Sequence, residues 1–275
     1  MNARPNLFCK FRDWKTTVEK DSATGTYVER HRAKDMLTTA QFYCQPPRFF
    51  DDPHDCLQGA RATGGHRDMD RFLMHNLAGL PEIMRKNKLG SITQLSEVKD
   101  EADQKVIGLL ARKHRRRETR VLSFSAEPGN ELLWSFYGDN HQGICLCFDS
   151  QHVFFSNARK VLYIDDPNKI TEPIDNIPAN DPLLYAKANS WAWQKEWRIV
   201  FQGEAPKSVG FPREALKAVI LGECFQHAGF DDLIKTLTQG CYQVDILQME
   251  RVSGSFAYQV VPLGQISNHQ YRPLT

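Results

Sequence analysis

Short runs of apolar and β-branched residues recur along the chain, and most of them lie in its second half. Runs of this length that are apolar throughout are typical of strands buried on both faces of a sheet. Two runs near the start cover 6–13 and 40–45, and the second stops at the turn signal Pro46-Pro47. The later runs predict strands at 120–125, 143–149, 160–164, 196–201, 216–222 and 242–248.

The spacing of apolar residues also predicts helices in the middle of the chain. Apolar residues recur three or four positions apart over 66–89 and again over 96–118, as on one buried helix face. A further segment, 181–193, has a helical pattern as well. Strands before and after these helices predict a single α+β domain over 1–275. Its mostly antiparallel or mixed β core would carry an inserted helical segment, about 66–118, packed on the sheet.

The charge balance of the chain limits the partners that it can attract. Its 35 Lys and Arg residues face 33 Asp and Glu residues, so attraction to nucleic acid must come from local clusters. The first residues do not resemble a signal peptide, and no apolar run is long enough for a membrane helix. Seven scattered cysteines without a CxxC pair indicate reduced thiols. We therefore expect a cytoplasmic protein with no membrane partner and no metal, a zinc site being the weaker alternative.

Three carboxylates crowd the segment that follows the double proline. Asp51, Asp52 and Asp55 repel one another unless a cation, a helix N-terminus or a hydrogen-bonded turn compensates. Asp is common in turns that its own side chain stabilises. From the residue types alone, a turn that docks neighbouring Phe side chains into the core is the favoured interpretation, and a cation site is the alternative.

An aromatic cluster precedes the strand predicted at 143–149. Trp134 and Tyr137 lie among Ser, Asp, Asn and His residues. Aromatic faces with polar neighbours suit a flat heterocyclic ligand, which stacks on the ring and hydrogen-bonds through its edge. Because Trp134 and Tyr137 are three residues apart, they share a helix face, and packing into the core is at least an equal alternative.

Two charged clusters each allow a structural and a functional interpretation. Glu196 and Arg198 project from the same side of one predicted strand. They either pair with each other or present a carboxylate that the cation fixes in place. The basic run 112–117 ends a predicted helix and indicates either a solvated helix end or a phosphate-binding surface. The candidate substrate-binding residues of this run are Arg115, Arg116 and Arg117.

A series of short motifs follows one order along the chain. The motifs are 10–12, 42–47, 50–55, 121–125, 133–137, 143–146, Trp193 with 196–198, and 218–222. In this order they resemble, over nearly the whole chain, the bacterial family called domain of unknown function 2971. One departure is Asp51, where the family's Phe-Asn-Asp-Pro motif has Asn, and it adds negative charge beside Asp52.

The layout of this family is similar to that of ADP-ribosyltransferases, which include toxins and abortive-infection proteins of phage defence. The resemblance implies that NAD is a substrate and that Glu196 is catalytic. A carboxylate there would stabilise the oxocarbenium-like state that forms as the bond to nicotinamide breaks. It also implies a nucleic-acid or protein acceptor and an antitoxin partner. The residues expected to bind NAD are Arg12, Tyr43, Trp134 and Tyr137.

Two other functions compete with the transferase. In a metal-dependent nuclease, Asp51, Asp52 and Asp55 would bind Mg²⁺ beside Glu196 and Arg198. Arg198 weakens this alternative, because a guanidinium stays protonated and cannot act as a base. The third alternative is a non-enzymatic domain that senses or binds a ligand through its aromatic cluster.

The transferase hypothesis makes a geometric demand on the fold. Arg12, Tyr43, Trp134 and Glu196 are far apart in sequence, so they must converge on one pocket. Glu196 must then lie on the same face of the sheet as Arg12. The nuclease instead requires the Asp carboxylates to share one cation.

If the acceptor is a nucleic acid, replacing Arg115, Arg116 and Arg117 with Ala should weaken its binding. Each phosphate contact releases counterions, so binding by the variant should also depend less steeply on salt concentration. Fluorescence anisotropy with a labelled oligonucleotide over a salt series measures both effects. An unchanged salt slope would identify the run as a solvated helix end.

Overall fold

The computed structural model describes residues 3–20, 25–52, 55–56, 61–63, 119–166, 171–173, 182–202 and 205–274. The helices predicted over 66–89 and 96–118 lie outside these ranges, as do Arg115, Arg116 and Arg117. The inserted helical segment therefore stays a prediction. No helix within the described ranges is long and apolar enough to cross a membrane.

Short strands and three α-helices make up the regular structure of the described chain. The helices are α1 (Arg32–Thr39), α2 (Glu131–Tyr137) and α3 (His227–Gln239). The 3₁₀ segments are Pro47–Phe49, Val153–Phe155, Pro182–Tyr185, Asn189–Gln194 and Arg213–Ala215. The strands are β1 (Leu7–Arg12), β2 (Thr17–Lys20), β3 (Tyr27–Arg30), β4 (Gln41–Tyr43), β5 (Arg61–Thr63), β6 (Arg120–Ser125), β7 (Ile144–Asp149), β8 (Arg159–Lys160), β9 (Leu162–Ile164), β10 (Thr171–Pro173), β11 (Ala186–Ala188), β12 (Glu196–Phe201), β13 (Ser208–Gly210), β14 (Leu216–Leu221), β15 (Val244–Arg251), β16 (Tyr258–Ser267) and β17 (Gln270–Pro273).

One nine-stranded sheet carries the fold. Its order from edge to edge is β17, β16, β15, β14, β7, β1, β6, β12 and β8. Neighbouring strands are antiparallel except β14 and β15, which are parallel and are joined through α3 as a crossover helix. The remaining strands pair two by two, as β2–β3, β4–β13, β5–β10 and β9–β11. The predicted α+β class with a sheet-dominated core is confirmed.

The two faces of the sheet bury different side chains. Alternation along β1 sends Phe8 to one face and Cys9 to the other. On the face of Phe8, Leu37 of α1 and Leu233 of α3 are fully buried in one continuous core, here called the large core. Packed phenylalanine rings fill its centre, namely Phe8, Phe42, Phe124, Phe148 and Phe155.

The opposite face, here called the thiol face, is covered in part by α2. Leu133 and Trp134 of that helix pack onto the central strands β1 and β7. The ring of Trp134 meets Phe11 edge to face at 5.1 Å, and its indole N–H donates to the carbonyl of Pro128 at 2.8 Å. The buried members of this cluster are Cys9, Phe11, Leu133, Trp134, Cys145, Cys147, Ala218, Ile220 and Met249.

The helix predicted over 181–193 is wrong. Two 3₁₀ segments, Pro182–Tyr185 and Asn189–Gln194, flank β11, which pairs in parallel with β9. Hydrogen bonds to a neighbouring strand here override the local helical pattern. The strand predicted at 160–164 is divided into β8, which pairs with β12, and β9, which pairs with β11.

The loop between α2 and β7 approaches its neighbours closely. Asp139, Asn140 and His141 have φ values of 51°, 51° and 65°, a left-handed run that Asp, Asn and His tolerate better than most residues. The carbonyl of His141 accepts a hydrogen bond from the N–H of Cys224 at 2.9 Å. Gly222 lies against that same carbonyl, so the loop is held to the end of β14.

Replacing Gly222 or Gly143 with Ala should destabilise the fold. A Cβ at Gly222 would overlap the carbonyl oxygen of His141, and one at Gly143 would overlap the carbonyl oxygen of Arg12. Backbone must shift in each case, and overpacking of this kind costs about 1–3 kcal/mol. Thermal unfolding measures the loss, with Gly129→Ala as the control because a Cβ at Gly129 would meet nothing within 4 Å. Equal melting temperatures for all three variants would contradict this packing.

Candidate functional site

Four charged side chains are buried together on the thiol face, next to the sheet edge formed by β12 and β8. Glu196 and Arg198 come from β12, Lys187 comes from β11, and Asp55 comes from the segment after β4. The sheet places the first two on one side because they are two residues apart in a strand. Each of the four is less than a tenth exposed, and Arg198 is fully buried. We call them the charge quartet.

The guanidinium of Arg198 is saturated with acceptors. Its Nε and Nη2 donate to the two carboxylate oxygens of Glu196 at 2.7 and 2.9 Å. Its Nη1 and Nη2 donate to those of Asp55 at 2.8 and 2.6 Å, and Nη1 also reaches the carbonyl of Leu184 at 2.9 Å. Two bidentate carboxylate pairs on one guanidinium are strong and directional. The structural alternative for Glu196, pairing with Arg198, is therefore the observed one.

The quartet is electrically balanced, with two carboxylates and two cations. The Nζ of Lys187 lies 3.3 Å from Asp55 and 3.5 Å from Glu196. Burial alone would raise the pKa of Glu196, but Arg198 and Lys187 outweigh it and lower the pKa to about 2. Burial would lower the pKa of Arg198, whereas its anionic neighbours, Glu196 first, raise it well above its ordinary value. Glu196 and Arg198 thus stay charged near neutral pH.

A chain of hydrogen bonds leads from the quartet to the surface. Lys187 donates to Oε1 of Gln194 at 2.7 Å, Nε2 of Gln194 donates to the hydroxyl of Tyr137 at 3.1 Å, and this hydroxyl donates to Asp51 at 3.1 Å. Every donor points outward, so each bond polarises the next. Burial and the carboxylate of Asp51 raise the pKa of Tyr137, which keeps its proton. We call these four residues the relay.

Aromatic rings form a row beside the relay. The ring centroids of Trp191 and Trp193 are 5.9 Å apart, and those of Trp193 and Phe136 are also 5.9 Å apart, with 32° between the planes in both pairs. Phe136 is 69% exposed, and the two tryptophans are partly exposed. The Nζ of Lys187 lies 4.7 Å from the centroid of the Trp191 ring. This aromatic row presents flat apolar faces next to fixed polar groups.

The predicted site residues do not all converge. Glu196 belongs to the charge quartet, and Tyr137 belongs to the relay that leads from it. Arg12 pairs in register with Ile144, a residue of the large core, so strand alternation places it on the opposite face from Glu196. Trp134 is a residue of α2 and is fully buried against the central strands. Tyr43 lies half-exposed on the separate strand pair β4–β13. The predicted single pocket is wrong for Arg12 and Glu196, because their strands direct them apart.

The Asp cluster is also divided. Asp55 is locked against Arg198, whereas Asp51 is exposed and accepts from Tyr137. Across the described ranges, a close group of potential metal ligands is formed by cysteines and not by Asp51, Asp52 and Asp55. The predicted turn is present, since the N–H of Asp55 donates to the carbonyl of Asp52 at 3.1 Å. The predicted docking of neighbouring Phe side chains into the core is wrong for Phe49, which is 56% exposed.

Two important members of the site were not singled out from the sequence. Lys187 lies between two alanines, and nothing in that local pattern distinguishes it from a surface lysine. Gln194 follows Trp193, which belongs to one of the motifs, but its side chain carries no charge that would distinguish it. The chain matches no protein-family model, no curated protein and no solved structure, so the site is interpreted from its own geometry.

Replacing Glu196 with Gln should lower stability. The amide cannot balance Arg198 and Lys187, and removing one partner of a buried ion pair costs about 3–5 kcal/mol. The matched control is Glu127→Gln, since Glu127 pairs with Lys195 at an exposed site where less than about 1 kcal/mol is expected. Thermal and urea unfolding measure both variants. Equal stability of the two would contradict a structural role for Glu196.

The stability of the wild type and of Glu196→Gln, measured as a function of pH, gives a second test. Because the folded pKa of Glu196 is about 2, below its ordinary value of 4.5, its contribution is present above the ordinary value and is lost as pH falls toward 2. The wild type should therefore lose stability more steeply than Glu196→Gln between these two values. Parallel pH profiles would show that Glu196 is not ion-paired.

Proposed function

We propose that this protein binds a flat heterocyclic ligand on the aromatic row of Trp191, Trp193 and Phe136. One observation carries the proposal: partly exposed rings lie beside the outer end of a buried hydrogen-bond chain. A planar ligand can stack on such rings and direct its polar edge to the fixed groups nearby. Exposed aromatic side chains are otherwise costly to keep in water.

The polar groups of this site are held in place before a ligand arrives. The hydroxyl of Tyr137 is fixed between Gln194 and Asp51, and Lys187 anchors Gln194 from below. A site that is already ordered loses less entropy on binding. The exposed carboxylate of Asp51 offers acceptor oxygens, so we propose that the ligand edge carries N–H donors, as a carboxamide or an exocyclic amine does.

NAD is the compound that we propose to test first. Its nicotinamide carboxamide and its adenine amine both combine a flat ring with N–H donors. The resemblance of the chain motifs to the domain of unknown function 2971 family and to ADP-ribosyltransferases points to the same molecule. A nuclease has less support, because Asp55 is already paired with Arg198 and Lys187.

ADP-ribosyl transfer is a second proposal, favoured by the connection from Glu196 through Lys187 and Gln194 to Tyr137. It differs from the hypothesis drawn from the sequence, because NAD would bind without Arg12, which lies on the opposite face of the sheet. In this reaction the bond between ribose and nicotinamide breaks, and nicotinamide leaves with the electron pair. A nucleophile of a nucleic acid or protein then adds to the ribose carbon and loses its proton. Glu196 would assist only after release from Arg198, because both of its oxygens accept from that guanidinium.

Replacing Trp193 with Ala should weaken NAD binding. Loss of one stacking ring costs about 1–3 kcal/mol, which corresponds to about a 5- to 150-fold rise in Kd. Titration calorimetry measures binding, and Phe256→Ala is the control because this aromatic side chain is fully exposed and lies in the turn between β15 and β16, outside the aromatic row. Equal Kd values for the two variants would place the ligand elsewhere.

Nicotinamide release separates binding from transfer. Wild type that binds NAD without releasing nicotinamide, with nucleic-acid and protein acceptors present, would reject the transferase proposal and keep the binding proposal. Wild type that binds neither NAD nor other adenine or nicotinamide compounds would reject both. Glu196→Gln that folds and still releases nicotinamide at the wild-type rate would remove Glu196 from the reaction.

A further inference from the structure

Three cysteine thiols meet on the thiol face, beneath α2. Cys9 on β1 and Cys147 on β7 are direct partners in the antiparallel ladder, and Cys145 lies two residues before Cys147 on the same side. All three are buried, and they share their cluster with Phe11 and Met249. The sheet therefore fixes three sulfur atoms in one place, although Cys9 is far from the other two in the chain. We call them the thiol triad.

The three thiols converge. The Sγ of Cys147 lies 4.0 Å from that of Cys9 and 3.9 Å from that of Cys145, and all three sulfurs lie within 4.8 Å of one another. Cα atoms two positions apart in a strand are separated by about 6.6 Å. Cys145 and Cys147 must therefore lean toward each other. Apolar side chains at these two positions could fill the core without leaning toward each other.

We propose that the thiol triad is a binding site for a soft metal ion, with Cu(I) as the preferred ion. Three sulfurs at about 2.3 Å around a trigonal ion would be about 4.0 Å apart. The measured separations match that value for two of the three pairs. An ion equidistant from all three sulfurs would lie no more than about 2.5 Å from each, so a movement of about 0.2 Å completes the site.

The chemistry of the surroundings selects the ion. Thiolate and thioether sulfur favour soft ions such as Cu(I) over hard cations. Zn²⁺ normally takes four ligands, whereas the group among the described residues has three cysteines and is closed off by Trp134 and Leu133. The thioether of Met249 is packed into the same cluster and is a soft neighbour. Thiols that bind as thiolates release their protons to solvent, and the ion keeps its oxidation state.

The test needs a background without surface thiols. Cys224 and Cys241 are exposed and would bind Cu(I) themselves, so both are first replaced with Ser. This double variant is reduced and titrated with Cu(I) under anaerobic conditions against a competing chelator, and a second sample is refolded with Cu(I) so that burial does not prevent loading. We expect one tightly held equivalent per chain and a higher melting temperature with the ion, because an ion that binds only the folded state stabilises it.

Cys147→Ala in this background removes the central sulfur. We expect the Cu(I) affinity to fall by more than about 100-fold, since even outer ligand partners change affinity 10- to 100-fold. Cys44→Ala is the matched control, because Cys44 is also buried but belongs to the large core. It should keep the full equivalent. Circular dichroism confirms that each variant is folded before titration.

Four results would overturn the proposal. The first is a refolded double variant that holds no Cu(I), and the second is an equal loss of Cu(I) in the Cys44 and Cys147 variants. The third is a thiol count showing a disulfide within the triad of the protein as purified. The fourth is a parallel titration in which Zn²⁺ binds and Cu(I) does not. If Cys147→Ala does not fold, the Cys224 and Cys241 double variant decides alone, through its Cu(I) stoichiometry and its sulfur-to-metal charge-transfer absorbance. None of these results depends on whether the aromatic row binds NAD.

Discussion

The buried guanidinium of Arg198 constrains the structure around it more than any other single group. It cannot lose its proton, so its burial requires a complete set of acceptors. Two carboxylates and one backbone carbonyl meet that requirement, and Lys187 balances the remaining charge. These acceptors come from separate parts of the chain. The quartet is therefore neutral only when β11, β12 and the segment around Asp55 are all in place.

This requirement explains local structure that the sequence pattern does not. In an α-helix the carbonyl of Leu184 would point along the helix axis toward the N–H four residues later, and not toward Arg198. In the structure β11 separates two 3₁₀ segments, so that this carbonyl and the side chain of Lys187 both reach the quartet. The favourable electrostatics and the pairing with β9 together outweigh the local helical tendency. The relay and the aromatic row depend on the same course of the backbone, since Trp193 and Gln194 are the last two residues of the second 3₁₀ segment.

How far the sequence predicts this molecule depends on whether the signal is local. Continuous apolar runs identified the central strands, and two-residue alternation placed Glu196 and Arg198 on one side. The pattern of α3, with Phe230, Leu233, Ile234 and Leu237 three or four apart, is readable in the sequence, although this helix was not predicted. Whether Arg12 and Glu196 lie on the same face depends on how three strands pair in register, and no local sequence pattern encodes that register. The thiol triad is invisible for the same reason.

The position of β1 has a consequence for how the chain is made. Among the strands of the sheet, β1 comes first in the chain, yet it lies inside the sheet, between β6 and β7. Both of its edges stay unpaired until residues 120–149 have left the ribosome. Unpaired strand edges invite association with other chains, and non-local pairing is slow. Four of the six residues of Leu7–Arg12 are also apolar. In the nascent chain, β1 thus stays unpaired while more than a hundred further residues are translated. A chaperone that binds the unfolded chain in this period would raise the yield of folded molecules.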